Sequence, residues 1–274
     1  MEGLYFSMIF SAASLVSSSF ILILYLLYEK IRNFDAAKYA FVLQIIDFFL
    51  SLISLIPFPE FNDNIYCKTQ GFLEFFLGEV LFLWTATIST ALYYEIYLEK
   101  GRNNFPFTRS LVLILILCMI LPIFALFFSL YEVEGSWCFI KPTLELGFAV
   151  MFGSFYIPFW ILNIWNIYAY IKITQKLKIE IGTTHDGLAL IRTLKFCPWV
   201  LIIAFAPLFA IRLYESINGS LSSNNVLLIV ASCITRTHGL LNSVIYGVNP
   251  ELKKIIFRKK TSESLFLNNI STRR

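Results

Sequence analysis

The sequence predicts an all-α membrane protein, a bundle of seven transmembrane helices with the N-terminus outside and the C-terminus in the cytosol. Three observations predict it. The 274 residues are 58% hydrophobic and 15% charged, whereas soluble domains carry about 25% charged residues. The apolar residues gather in seven long blocks, and about 20 apolar residues suffice for a helix to cross the hydrocarbon layer. Lys and Arg fall almost wholly on the segments that this topology puts inside.

The blocks run roughly over residues 4–28, 36–57, 68–98, 110–131, 144–171, 188–213 and 224–247. They use most of the chain, so no separate soluble domain fits beside them. The third and fifth are long enough to tilt or to project from the bilayer. No basic residue precedes the first block, and Lys30 and Arg32 follow it. A secretory signal peptide has the opposite polarity and a shorter apolar core, so 4–28 reads as a retained span with an exported N-terminus.

The connecting segments test that orientation, because Lys and Arg accumulate on cytoplasmic loops. The inner loops hold Lys30, Arg32, Lys38, Lys100, Arg102, Arg109, Lys172, Lys176, Lys178, Arg192 and Lys195, and the tail adds seven more. Only Lys68, Lys141 and Arg212 fall outside. The remaining basic residue, Arg236, lies within a span. An even number of spans would put the basic tail outside and is disfavoured.

Residues 1–249 thus form the seven-helix domain. Residues 250–260 read as a short amphipathic helix along the membrane. Pro250 suits its first position, and Leu252, Ile255 and Ile256 enter lipid while the lysines face anionic headgroups. Residues 261–274 read as a disordered cytosolic tail, with Thr261, Ser262, Ser264, Ser271 and Thr272 as candidate phosphosites.

Cys67 precedes the third span and Cys138 lies in the second outer loop. Both face an oxidising compartment, where a disulfide between them can form and persist; two unpaired thiols are the alternative. Cys118, Cys197 and Cys233 fall within spans and read as small buried hydrophobes. Asn218-Gly-Ser220 is a glycosylation sequon in the third outer loop.

The seventh span carries two polar stripes. Thr235, His238, Asn242, Tyr246 and Asn249 form one, and Ser232, Arg236, Gly239 and Ser243 the other. Both belong in the bundle interior. Arg236 lies near mid-membrane, where a charge costs roughly 2.5–3.5 kcal/mol on insertion scales, so it calls for a partner. Asp47 and Glu79 sit at similar estimated depth. Such a pair is either structural or a switch. Glu74 and Glu79 lie on different faces of the third helix. Glu74 shares its face with Gly71, Gly78 and Thr85, where glycines permit close approach, and it contacts either a ligand or a loop. Asp47, Glu74, Glu79, Thr85, Asn163, Arg236, His238 and Asn242 are the candidate ligand pocket or polar core. Pro198 and Pro207 each remove a backbone hydrogen bond from the sixth span, giving either a hinge or static kinks.

These features resemble G-protein-coupled receptors, and the local wording resembles the slime-mould cyclic-AMP receptors and their receptor-like relatives. The resemblance rests on Cys67-Lys-Thr-Gln-Gly71, Phe82-Leu-Trp-Thr85, Trp137-Cys-Phe-Ile140, Tyr156-Ile-Pro-Phe-Trp160 with Tyr168, and Gly239-Leu-Leu-Asn-Ser-Val-Ile-Tyr-Gly247 with Asn249. It runs through helices three to seven and is thinner in one and two. Tyr93-Tyr-Glu-Ile-Tyr97 replaces the Asp-Arg-Tyr of rhodopsin-like receptors, and Asn249-Pro250 follows Tyr246 instead of preceding a Tyr.

The resemblance implies a receptor for an unknown extracellular small ligand, in the plasma membrane. Its partners would be the lipid bilayer and a heterotrimeric G protein, met by Arg102, Lys176, Lys178, Lys195, Asn249 and Lys253. The outer face is acidic on balance, although a phosphate ligand would want basic clamps; Arg236, Lys141 and Arg212 are the available ones. A transporter or channel using Asp47, Glu79 and Arg236 is the main rival. The chain lacks the internal repeat expected of many transporters. A retinal protein needs a Lys in the seventh span, and residues 224–247 contain none. No paired catalytic Asp motif, Ser/His dyad or metal-ligand spacing points to an enzyme. No cofactor, metal or nucleic-acid partner is expected. A receptor-shaped scaffold that no longer signals remains an alternative.

Overall fold

A computed structural model of the chain describes residues 2–32, 35–56, 64–98, 105–134, 137–140, 145–180, 196–218 and 226–247. Among them are seven helices long and apolar enough to cross a membrane: Tyr5–Leu27, Ala37–Leu55, Ile65–Tyr97, Phe107–Phe127, Glu145–Leu177, Cys197–Asn218 and Val226–Gly247. The chain is a multi-pass membrane protein built as a seven-helix bundle. The expected amphipathic helix over 250–260 and the tail over 261–274 lie outside the described residues.

Burial follows composition. The third span is the central helix, with 72% of its apolar window buried, and it carries Glu74, Glu79 and Thr85 into the interior. The fourth has the highest hydropathy, 3.0, and only 22% of its window is buried. It is a helix whose surface is apolar nearly all round, as lipid requires.

The fourth helix stops at Phe127 instead of running to 131. Ser129 takes the left-handed conformation (φ 52°), and the Leu130 N–H reaches back to the Ala125 carbonyl at 3.0 Å. This closure satisfies terminal carbonyls of the helix. The apolar run continues across the turn, so hydropathy alone does not mark the end. The chain then enters an antiparallel hairpin, β1 (Tyr131–Glu134) and β2 (Trp137–Ile140), with Val133 opposite Cys138.

Cys138 is bonded to Cys67, with Cα atoms 5.2 Å apart, and this pins the hairpin to the head of the third helix. Gln70 reinforces the joint. Its Oε1 accepts the Cys138 N–H at 3.3 Å, and its Nε2 donates to the Ile53 and Ile56 carbonyls at 3.4 and 3.3 Å. Gly71 is needed beneath the hairpin, since a Cβ there would stand 2.6 Å from Tyr131 Cδ1. Burial pushes the Tyr131 phenol well above its ordinary range, and the nearby Glu79 carboxyl adds to the effect. Its hydroxyl donates to the Pro122 carbonyl at 3.1 Å.

Two spans contain π-helical turns, Tyr93–Tyr97 at the inner end of the third and Met151–Tyr156 within the fifth. The seventh span is two helices, Val226–Arg236 and His238–Gly247, broken at Thr237. Ser14 of the first span bridges the break. Its hydroxyl donates to the Arg236 carbonyl at 2.6 Å and accepts the Leu240 N–H at 3.2 Å. Backbone groups freed inside a membrane need such partners.

The sixth span begins at Cys197 among the described residues and extends to Asn218, five residues beyond the expected end at 213. Arg212, read from the sequence as an outside charge, is buried in this helix together with Glu215. They lie one helical turn apart, with Nη1 2.7 Å from Oε2, and this pairing is what lets the charges stay within the bundle.

Candidate functional site

The outer third of the bundle encloses a small cavity beneath the hairpin. Trp137 roofs it, Phe139, Phe155 and Phe205 give it apolar walls, and Glu74, Arg212, Arg236 and His238 supply its polar groups. It leaves about 60 Å³ for the centres of water-sized molecules, enough for a few waters at roughly 10–15 Å³ each. A drug-sized ligand would have to widen it.

Arg236 makes a forked contact with Glu74. Nη1 lies 2.8 Å from Oε1 and Nη2 lies 3.3 Å from Oε2. Nη1 also donates to the Ser54 hydroxyl. The planar guanidinium suits this two-pronged recognition of a carboxylate. The break at Thr237 ends the upper helix at Arg236, and the second span brings Ser54 to the same point. Two cations also approach Trp137. The Arg236 guanidinium lies 5.4 Å from its ring centroid and that of Arg212 5.9 Å, both within cation–π range.

One turn deeper the lower half of the seventh span meets the second. Asn242 Nδ2 donates to Asp47 Oδ2 at 2.9 Å, and Ser243 donates to Gln44 Oε1 at 2.8 Å. His238 Nε2 faces Asp47 Oδ1 at 3.2 Å, outside hydrogen-bond alignment, while Nδ1 lies 2.8 Å from the Thr235 carbonyl. A carbonyl only accepts, so Nδ1 carries a proton. Gly239 permits this packing: a Cβ there would meet Ser14, Ser18 and Asp47 at 3.2–3.4 Å.

An aromatic cluster links the cavity floor to the fifth and sixth helices. Phe82 of the third helix lies 4.9, 4.7 and 5.0 Å from the Phe155, Phe159 and Phe205 rings. Phe205 in turn lies 5.9 Å from His238. At the inner end, Lys176 Nζ donates to the Tyr97 carbonyl at 2.9 Å. Ser89 donates to Asn166 Oδ1 at 2.5 Å, and Trp165 Nε1 donates to Thr90 at 2.9 Å. Together these bind the third and fifth helices to each other.

No protein-family model matches the chain. Two curated relatives align along nearly all of it. "G-protein coupled receptor 1" of Arabidopsis thaliana is 24% identical over 263 residues, covering 91% of this chain and 78% of its own. "Cyclic AMP receptor-like protein A" of Dictyostelium discoideum is 27% identical over 281 residues, covering 98% and 71%. "Cyclic AMP receptor-like protein F" of the same organism is 30% identical over a shorter stretch of 107 residues, or 34% of the chain.

The chain is similar to these receptors and receptor-like proteins, with the two longer alignments covering nearly all of it. The alignment with the Dictyostelium protein covers 98% of the chain, so it includes the first two helices as well as helices three to seven.

Within this seven-helix bundle the expected site residues divide into several groups. Glu74, Arg236 and His238 line the cavity, and Asp47 and Asn242 form the polar layer below. The partner of Arg236 is Glu74, not Asp47 or Glu79: Asp47 faces His238, and Glu79 faces the fourth and fifth helices. Thr85 and Asn163 are buried and turn back on their own helices, donating to the Leu81 and Phe159 carbonyls at 2.8 and 2.9 Å. Pro207 lies inside the sixth helix, whereas Pro198 stands in its first described turn. Lys176 ties two helices together, and the side chain of Lys178 is outside the description. Arg102, Lys195, Asn249 and Lys253 lie outside the described residues. Asn218 is the exposed last residue of the sixth helix, bonded to the Tyr214 carbonyl at 3.2 Å.

The sequence reading missed Ser14, Ser54, Trp137 and the burial of Arg212 with Glu215. For the first helix a signal was present. Ser7, Ser11, Ser14 and Ser18 recur at helical spacing and are all buried, the pattern of a small-residue packing face.

Proposed function

We propose that the chain is a G-protein-coupled receptor that senses a small extracellular ligand in the cavity beneath Trp137 and activates a heterotrimeric G protein. The observation that carries this reading is the Arg236–Glu74 pair in the cavity wall. Glu74 is buried and Arg236 nearly so, and the pair joins the third helix to the broken seventh. Only a ligand with different affinities for two arrangements shifts their populations. An anionic group on the ligand would compete with Glu74 for Arg236 and would find Arg212 in the same cavity lining. Releasing Glu74 frees the upper half of the seventh helix from the third.

Motion then passes through two routes. One is the Phe82, Phe155, Phe159 and Phe205 cluster, which meets the sixth helix just before Pro207. The other is the His238–Asp47 contact along the lower seventh helix. Outward movement of the sixth helix would open a cytosolic cleft for the basic inner loops to present. The names of two relatives make cyclic AMP the first ligand to try, since two arginines at one cavity suit a single phosphodiester anion.

The test is nucleotide exchange on heterotrimeric G proteins by the purified chain in nanodiscs, with cyclic AMP and a panel of small anions and amines. Ligand-dependent exchange that falls at least tenfold in Arg236→Ala, with the disulfide intact, is the expected result. Folded protein giving no exchange with any ligand would sink the receptor reading. Ion flux from the same preparation would then favour a transport role for the buried charges.

A further inference from the structure

A second cavity lies on the other side of the third helix. It opens between the third, fourth and fifth spans at mid-membrane depth and leaves about 220 Å³ for the centres of water-sized molecules. Leu117 lines it and is 48% exposed on the outward surface of the bundle, so the opening faces the bilayer. The rest of its lining is apolar apart from Glu79 and Ser154, with Cys118, Phe155 and Leu162 among the walls.

Glu79 is 7% exposed. No cation and no hydrogen-bond donor meets its carboxyl among the described residues. A buried carboxyl without a partner is costly in apolar surroundings, and the fold has not filled the space in front of it. The facing wall is the π-helical turn Met151–Tyr156 of the fifth helix, a feature frequent at functional sites. Within it Ser154 donates to the Val150 carbonyl, which leaves the lone pairs of its hydroxyl free to accept from a ligand.

We propose that this groove is a bilayer-facing binding site for a lipophilic amine, with the nitrogen on Glu79 and the apolar body along Leu117 and Leu162. Charge complementarity selects the amine. An ammonium donating to the carboxylate and a neutral amine accepting from the carboxylic acid are the same pair, with the proton on either side. Net charge is zero in both arrangements, so the complex carries no uncompensated charge into the membrane. Ser154 lines the same groove and offers an acceptor for a second N–H. A lipid hydroxyl would supply one hydrogen bond but could not neutralise the carboxylate. The site is separate from the cavity beneath Trp137 and does not depend on the receptor reading.

The experiment uses the full chain in nanodiscs of neutral phospholipid and measures saturable binding of radiolabelled dodecylamine above its partition into empty discs. Dodecan-1-ol is the uncharged comparison. We expect one saturable amine site per chain. Glu79→Gln should weaken it at least tenfold by removing the charge while keeping the shape. Leu117→Trp should abolish it by filling the mouth of the groove from the lipid side, where an added ring does not disturb the core. Both variants should keep the Cys67–Cys138 disulfide. Absence of a saturable component, or amine binding unchanged in Leu117→Trp, would overturn the proposal. Equal affinity for dodecan-1-ol would also overturn it and would reassign the groove to neutral lipid hydroxyls.

Discussion

Glu74 holds Arg236 through both carboxylate oxygens, at 2.8 and 3.3 Å from the two terminal guanidinium nitrogens, and the two side chains are 8% and 11% exposed. Removing one member of a buried pair leaves the other charge uncompensated, at a cost of about 3–5 kcal/mol. Arg236→Ala and Glu74→Ala should each lower the melting temperature of the protein in nanodiscs. The double variant should recover much of the loss, because it leaves neither charge stranded. Strictly additive losses would mean that the two groups are not coupled.

The seven spans were readable because length and hydropathy alone decide them. The partner of Arg236 was not. Estimating depth along an unbroken seventh helix set Arg236 level with Asp47 and Glu79. The break at Thr237 instead lets Arg236 meet Glu74 and Ser54 while His238, two residues on, faces Asp47. Arg212 misled for a different reason: a charge near a helix end reads as loop, and only its pairing with Glu215 at 2.7 Å shows that it stays within the bundle. Trp137 is a loop residue in sequence, and nothing local indicates that a hairpin will fold it back over two arginines.

The glycines offer a paired test of packing. In Gly71→Ala the new methyl would meet Tyr131 Cδ1 at 2.6 Å and the Cys138 carbonyl at 3.3 Å, beneath a hairpin fixed by the disulfide and by Gln70. Overpacking of this kind costs about 1–3 kcal/mol. Gly153→Ala has nothing within 4 Å and should melt within a degree or two of the parent. Equal melting temperatures for the two variants would show that the hairpin can lift away from the third helix at little cost.

The Cys67–Cys138 disulfide closes a stretch with a sequence separation of 71. Bridges of this kind typically contribute about 2–4 kcal/mol. Cys67→Ser, Cys138→Ser and the double variant should therefore melt at similarly lowered temperatures, because each loses the same single bond. Intact-mass analysis after alkylation should find two fewer free thiols in the parent than in its fully reduced form. If one single variant proves much less stable than the double, an unpaired thiol is doing harm and bond loss is not the cause.

Ser14 is the test of how the broken seventh helix is tolerated. Its one hydroxyl accepts the Leu240 N–H and donates to the Arg236 carbonyl, at 3.2 and 2.6 Å, and it is fully buried. Ser14→Ala leaves both backbone groups without that partner, and an unsatisfied buried group costs about 1–3 kcal/mol. Amide hydrogen exchange over residues 236–241 should speed up several-fold in the variant, while exchange in the third helix stays unchanged. Ser14→Gly should do the same, since it too lacks the hydroxyl, whereas Ser14→Thr keeps the hydroxyl and should retain most of the protection. Unchanged exchange in Ser14→Ala would show that the seventh helix holds its break without help from the first, and that the serine face of the first helix serves packing alone.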